Sequence, residues 1–130
     1  MVWHSGVVRQ LRHSGLFSSV QLVGAKVRAS IDDTRFLDIH FDPTTHSYSY
    51  AVIDSLLDVP GDKRVFGWDD CPHPAEPSMT ILSSYPHHFQ MRIPGGQWRF
   101  EPSSFTGNVE ADIEVVLIYL QKYLETQRRP

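Results

Sequence analysis

At 130 residues with 41% hydrophobic side chains, the chain has the size and composition of one core-forming domain. Its net charge of −3 argues against a protein that is basic throughout in order to hold nucleic acid, and its lone cysteine, Cys71, excludes an intramolecular disulfide and a cysteine-rich zinc site. No apolar run approaches the roughly 18 residues of a membrane-crossing helix, and "MVWHSGVVRQ" lacks the charged start and apolar stretch of a secretory signal, so a soluble, cytoplasmic protein with no membrane partner is expected.

Charge is unevenly spread. Residues 1–31 hold Arg9, Arg12, Lys26 and Arg28 and no acid, while the remainder has fifteen acids against eight bases. A basic N-terminal part suits RNA or an acidic partner, and the plainer reading is that folding sets these bases beside the acids. In chain order, "SGVVRQLRH" (5–13) predicts a short helix, with Ser5 as its cap, Gly15 beyond its end, and Val7, Val8 and Leu11 as its buried stripe.

From Val23 to Ile31 apolar and polar residues alternate, predicting one half-buried strand, and "RFLDIHF" (35–41) alternates again. A two-residue turn at Asp32-Asp33 would set Leu37 opposite Arg28 and mix the faces. A three-residue loop, Asp32 to Thr34, pairs Val27 with Ile39, Ala29 with Leu37, Arg28 with Asp38 and Lys26 with His40, and that consistent register is the one expected. "YSYAVID" (48–54), "KRVFGWD" (63–69), "HFQMRI" (88–93) and "QWRFE" (97–101) read as further strands, divided by the turns "DPTTHS", "VPGD" and "PGG". Pro72, Pro74, Pro77 and Pro86 argue against any regular strand or helix between the fourth strand and the fifth. Val109, Ile113, Val116, Leu117, Leu120 and Leu124 recur at helical spacing, so a long helix runs over 109–127. Asn108 caps it, acids lie near its start, and Lys122, Arg128 and Arg129 lie near its end. Val115, Ile118 and Tyr119 widen its apolar stripe, which implies deep burial. The expected architecture is one α+β domain over 1–130: an antiparallel sheet of five to six strands flanked by a short N-terminal helix and a long C-terminal helix.

The chemistry concentrates in "GWDDCPHPAEPSMTILSSYPHHFQ" (67–90), where three histidines and three acids share a loop between strands. A histidine titrates near neutrality, and a nearby carboxylate orients it. His87 and His88 are adjacent, so at a strand start they point to opposite faces and only one shares a site with His73. Asp69 or Asp70, His73 and one of His87 and His88 meet the ligand count of a catalytic metal, but the spacing matches no specific zinc motif, so no metal or cofactor is expected. The bland alternative is a rigid loop whose polar groups satisfy its own backbone. Trp68 reads as a core or hinge anchor, Tyr48 and Tyr50 as sheet packing or base-stacking surfaces, and Cys71, between acids and proline, as no thiolate nucleophile.

Trp68-Asp69, Pro72-His73, Glu76-Pro77 and Tyr85-Pro86-His87-His88 together resemble the paired signature of the TumE-type toxins of prokaryotic toxin–antitoxin modules, and "YSY" at Tyr48–Tyr50 resembles a strand upstream of it in that family. The likeness covers Leu37 to Gln90. It departs from the family at Pro72-His73-Pro74, where a second histidine is usual, and in a longer spacer containing "SMTILSS". The resemblance implies a toxin whose partner is an antitoxin protein. Histidine chemistry adds the expectation of a metal-free ribonuclease acting on RNA. His73 and His87 or His88 would form the acid–base pair, with Asp69 orienting. Arg64 or Arg92 would stabilise phosphorane charge, and Trp68, Tyr48 or Tyr50 would contact substrate. The alternatives are a non-catalytic protein-binding module and a metal-dependent hydrolase built on the same His/Asp set.

Overall fold

A computed structural model describes residues 3–127. Its elements are α1 (Trp3–Ser14), β1 (Ser19–Val23), β2 (Lys26–Ser30), β3 (Arg35–Phe41), β4 (Tyr48–Asp54), β5 (Arg64–Asp69), α2 (Pro77–Thr80), β6 (His88–Arg92), β7 (Trp98–Pro102) and α3 (Val109–Gln127). Every strand pairs antiparallel with the next, so the seven form a meander in sequence order. The α+β expectation holds with more strands than foreseen.

The additional strand comes from the segment read as one strand over 23–31. Val23 instead ends β1 and pairs with Lys26 across a two-residue turn, Gly24-Ala25. Gly24 takes φ +62°, the left-handed conformation that such a turn demands at its first central position. The next hairpin has the expected register: Val27 faces Ile39, Arg28 faces Asp38 and Ala29 faces Leu37. Arg28 grips Asp38 with two hydrogen bonds of 2.8 and 3.0 Å, and Lys26 lies 3.8 Å from the same carboxylate.

α1 begins by Trp3, so Ser5 lies inside its first turns and does not cap it. Its end is as expected, with Gly15 at φ +72° directly after Ser14. Trp3, Val7 and Leu11 are its buried residues, and Val8 is only half-buried. α2 was not expected. Proline has no N–H to lose at the opening of a helix, so Pro77 starts this single turn rather than preventing it, and Met79 is fully buried.

Both long helices cover one face of the sheet. α1 touches β1, β2 and α3, while Tyr119 of α3 packs 5.0 to 5.3 Å from the rings of Phe66, Trp68 and Phe89. Val27, Leu37, Ile39, Tyr50, Val52 and Phe66 from the sheet meet Val7 and Leu11 of α1 and Ile113, Val116 and Leu120 of α3 in the core. The helical stripe is narrower than the sequence suggests: Val115 and Ile118 are 49% and 57% exposed, because a helix lying on a sheet turns only one side to it. Asn108 precedes α3 and its carbonyl accepts the Asp112 N–H at 2.8 Å. Arg128 and Arg129 lie outside the described residues.

Candidate functional site on the helix-free face

Strand alternation sends every second side chain to the face away from the helices. His40, Ser49, Asp69 and His88 pair consecutively across β3, β4, β5 and β6 and therefore form one row on that face. In the neighbouring row Gly67 stands between Ala51 and Gln90. A Cβ on Gly67 would lie 2.6 Å from the Tyr50 carbonyl oxygen, so only glycine fits where β5 approaches β4 there.

The chain leaving β5 folds back over this row. Asp69 Oδ1 accepts the Cys71 N–H at 2.8 Å. Asp70 accepts from the Ser47 hydroxyl at 2.8 Å and the Tyr48 N–H at 3.3 Å, tying the loop to the start of β4. His73 is thereby carried across the end of the sheet to meet His88, ring centroids 5.5 Å apart and edge to face. The Phe100 ring closes the far side, 6.4 Å from His73 and 5.7 Å from His88. A cleft of about 540 Å³ opens beside them, lined among others by Ser49, Arg64, Asp69, His73 and Gln90.

Asp69, His73 and His88 each bring one ligand-capable atom within 4.8 Å of the other two. His88 has no exposed surface, Asp69 is 5% exposed, and His73 is half-buried. The His88 ring lies against three oxygens: Nδ1 is 2.8 Å from the Pro86 carbonyl, while Nε2 is 2.9 Å from Gln90 Oε1 and 3.3 Å from Asp69 Oδ1. Arg64 donates to Asp69 Oδ2 at 3.4 Å, and its buried Nε makes no hydrogen bond among the described residues. Burial, with Asp69 and Asp70 adding to it, pushes the Cys71 thiol above its usual range, so this cysteine is no ready thiolate.

The remaining candidates lie elsewhere. His87 points away from His73, as adjacent residues at a strand start must, and its Nδ1 sits 2.8 Å from the Tyr48 hydroxyl. Tyr48 stacks on Tyr50 at 4.8 Å, and both are buried on the helix side, where no base can reach their faces. Trp68 is a core residue packed on Phe66, Phe89, Phe105 and Tyr119. Arg92 spends its guanidinium on the carbonyls of Arg64, Gly96 and Asp62 and stacks on Trp98, so it braces turns. The acid–base pair expected of His73 with His87 or His88 needs two rings open to one substrate. Here one partner is on the opposite face and the other is sealed. Sequence reasoning missed Gln90 and Ser49 in the cleft; Gln90 stands two residues from His88 on one strand, a readable signal, whereas Ser49 lies between Tyr48 and Tyr50 and is marked only by facing Asp69 across the sheet.

The fold and cleft define a small α+β protein with a histidine–carboxylate centre on the helix-free face of an antiparallel meander. Residues 7–124 match the family model described as Toxin TumE. The chain belongs to the TumE toxin family, and the match runs well beyond the motif-bearing Leu37–Gln90. No curated protein and no solved structure matches the chain. No helix among the described residues is long and apolar enough to cross a membrane.

Proposed function

We propose that the protein is the toxin of a toxin–antitoxin pair, held in check by an antitoxin protein, and that it arrests growth by hydrolysing RNA phosphodiesters in the cleft on the helix-free face. The observation that carries this reading is the convergence of Asp69, His73 and His88 from three segments of chain, with Asp69 and His73 lining that cleft and His88 buried behind them. Hydrolysis needs a water positioned to attack phosphorus, a donor for the charge gathering on the phosphoryl oxygens, and return of the water's proton to the oxygen whose bond to phosphorus breaks. The cluster supplies the group that positions and activates the water. Arg64, which lines the cleft beside Asp69, supplies the charge.

The test is induction of the wild-type chain in a host beside His73→Ala, a half-buried position that tolerates truncation. Arrest with fragmented RNA is expected from the wild type, with cleavage at least about 100-fold slower in the variant. Arrest with intact RNA would replace the nuclease by a toxin that acts through binding. No arrest at confirmed soluble expression would favour the non-catalytic protein-binding module.

A further inference from the structure

We infer that Asp69, His73 and His88 form a binding site for one divalent transition-metal ion of the zinc class. Two imidazoles and a carboxylate are a donor set that zinc accepts in catalytic sites, where three protein ligands leave a further position for water or substrate. An ion about 2.0–2.2 Å from each donor needs them about 3.3–3.6 Å apart. Asp69 Oδ1 and His88 Nε2, 3.3 Å apart, already have that spacing, and all three donors lie within 4.8 Å, so binding draws the half-buried His73 inward.

The surroundings of His88 point the same way. A metal-bound histidine characteristically donates its other ring N–H to a carbonyl or carboxylate, which sets its tautomer. His88 Nδ1 meets the Pro86 carbonyl at 2.8 Å in that manner. With the proton on Nδ1, the lone pair of a neutral ring at Nε2 faces two oxygens, Gln90 Oε1 at 2.9 Å and Asp69 Oδ1 at 3.3 Å, an arrangement that repels unless a positive charge stands among them. The competing occupant is a second proton, which would make the pair an ordinary buried salt bridge.

Charge across the cleft supplies an independent reason. Asp42, Asp62, Asp69 and Asp70 line it, and Arg64 is its only arginine or lysine among the described residues. A phosphodiester entering such a cleft meets more negative than positive charge, and an ion held by Asp69 and His73 at its wall offsets much of that excess. Binding of the ion stands on the geometry alone; its use against RNA rests on the function proposed above.

The chelator-stripped, full-length chain is titrated with Zn²⁺ by calorimetry beside His73→Ala, Asp69→Asn and, as a control for surface histidines, His13→Ala on α1. One equivalent is expected in the wild type and in His13→Ala. Both site variants should bind more weakly by more than the about 10–100-fold that loss of an outer-shell partner costs. Zinc should also raise the melting temperature of the wild type and not of His73→Ala, a readout that reports the site without any activity and exposes a misfolded variant in its metal-free melt. No zinc binding by the wild type, or binding undiminished in a folded His73→Ala, overturns the inference and leaves the proton as the occupant. RNA cleavage that depends on His73 without zinc binding would sink the metal and keep the nuclease. Zinc binding without RNA cleavage would do the reverse.

Discussion

Asp112 is an acid set inside the apolar stripe of α3, three residues after Val109 and four before Val116, and it is only 6% exposed. Its Oδ2 accepts the Tyr50 hydroxyl at 2.8 Å and the Gly107 N–H at 3.1 Å, so the acid pins the sheet and the chain entering α3 to one helix. Burial pushes its carboxyl above the ordinary range, against the hydrogen bonds that favour its ionised form. Asp112→Ala strands the hydroxyl of Tyr50, a residue with no exposed surface, and should cost about 1–3 kcal/mol in urea unfolding. Asp112→Asn retains an acceptor and should cost less. Because the folded value is raised, the associated stability is fully present below the unfolded value of about 3.9 and is lost as pH rises through the folded one. That slope should vanish in Asp112→Asn. The spacing that buries Asp112 was readable in the sequence, but its hydroxyl partner was not: Tyr50 is 62 residues away and reaches it only when α3 lies across β4.

The hairpins show how far local pattern reaches at the scale of the element. The β2–β3 register was legible because the alternative set Arg28 against Leu37, and a mixed face is a strong constraint. The β1–β2 turn was missed because Val23, Ala25 and Val27 keep an apolar period of two straight through Gly24-Ala25, leaving glycine as the sole signal. The β2–β3 loop is held by Asp32, which accepts the N–H groups of Thr34 and Arg35 at 3.1 and 2.9 Å and pairs with the Arg35 guanidinium at 2.8 Å. The Arg35 side chain, helped by those N–H groups, lowers its carboxyl to about 2. The sign is opposite to that of Asp112: stability is present above the unfolded value of about 3.9 and lost as pH falls toward about 2. Asp32→Asn should flatten acid unfolding across that interval, as read by circular dichroism. The effect should be small because the Asp32 side chain is 44% exposed.

A seven-stranded meander has two unpaired edges, and the molecule's stability is graded accordingly. β3, β4 and β5 are bonded on both sides and contribute Leu37, Ile39, Tyr50, Val52 and Phe66, each with no exposed surface. β1 is bonded on one side, with Leu22 56% exposed. Native-state hydrogen exchange should therefore be slowest in β3–β5 and fastest in β1 and β7. Equal protection of β1 and β4 would show that something covers the β1 edge in solution. Asp69, His73 and His88 are drawn from β5, β6 and the loop between them, so the centre rests on both a well-protected strand and a loop tied down by the Asp70 hydrogen bonds.

Alternation, helical spacing and turn residues act over a few positions, and for that reason the α+β class, most strand spans, the β2–β3 register and the family motif were all determined by the sequence itself. It also determined that His87 and His88 part company, since strand geometry sends neighbours to opposite faces. Which of them meets His73 was decided only by the tertiary structure. The chain between Asp69 and His88 has no period to read, and its course is set by Asp70, Cys71 and Ser47 closing it back over the sheet. That closure makes a single centre of three residues whose outer members are 19 positions apart, while strand alternation leaves Tyr48, Tyr50 and Trp68 buried on the other face of the sheet.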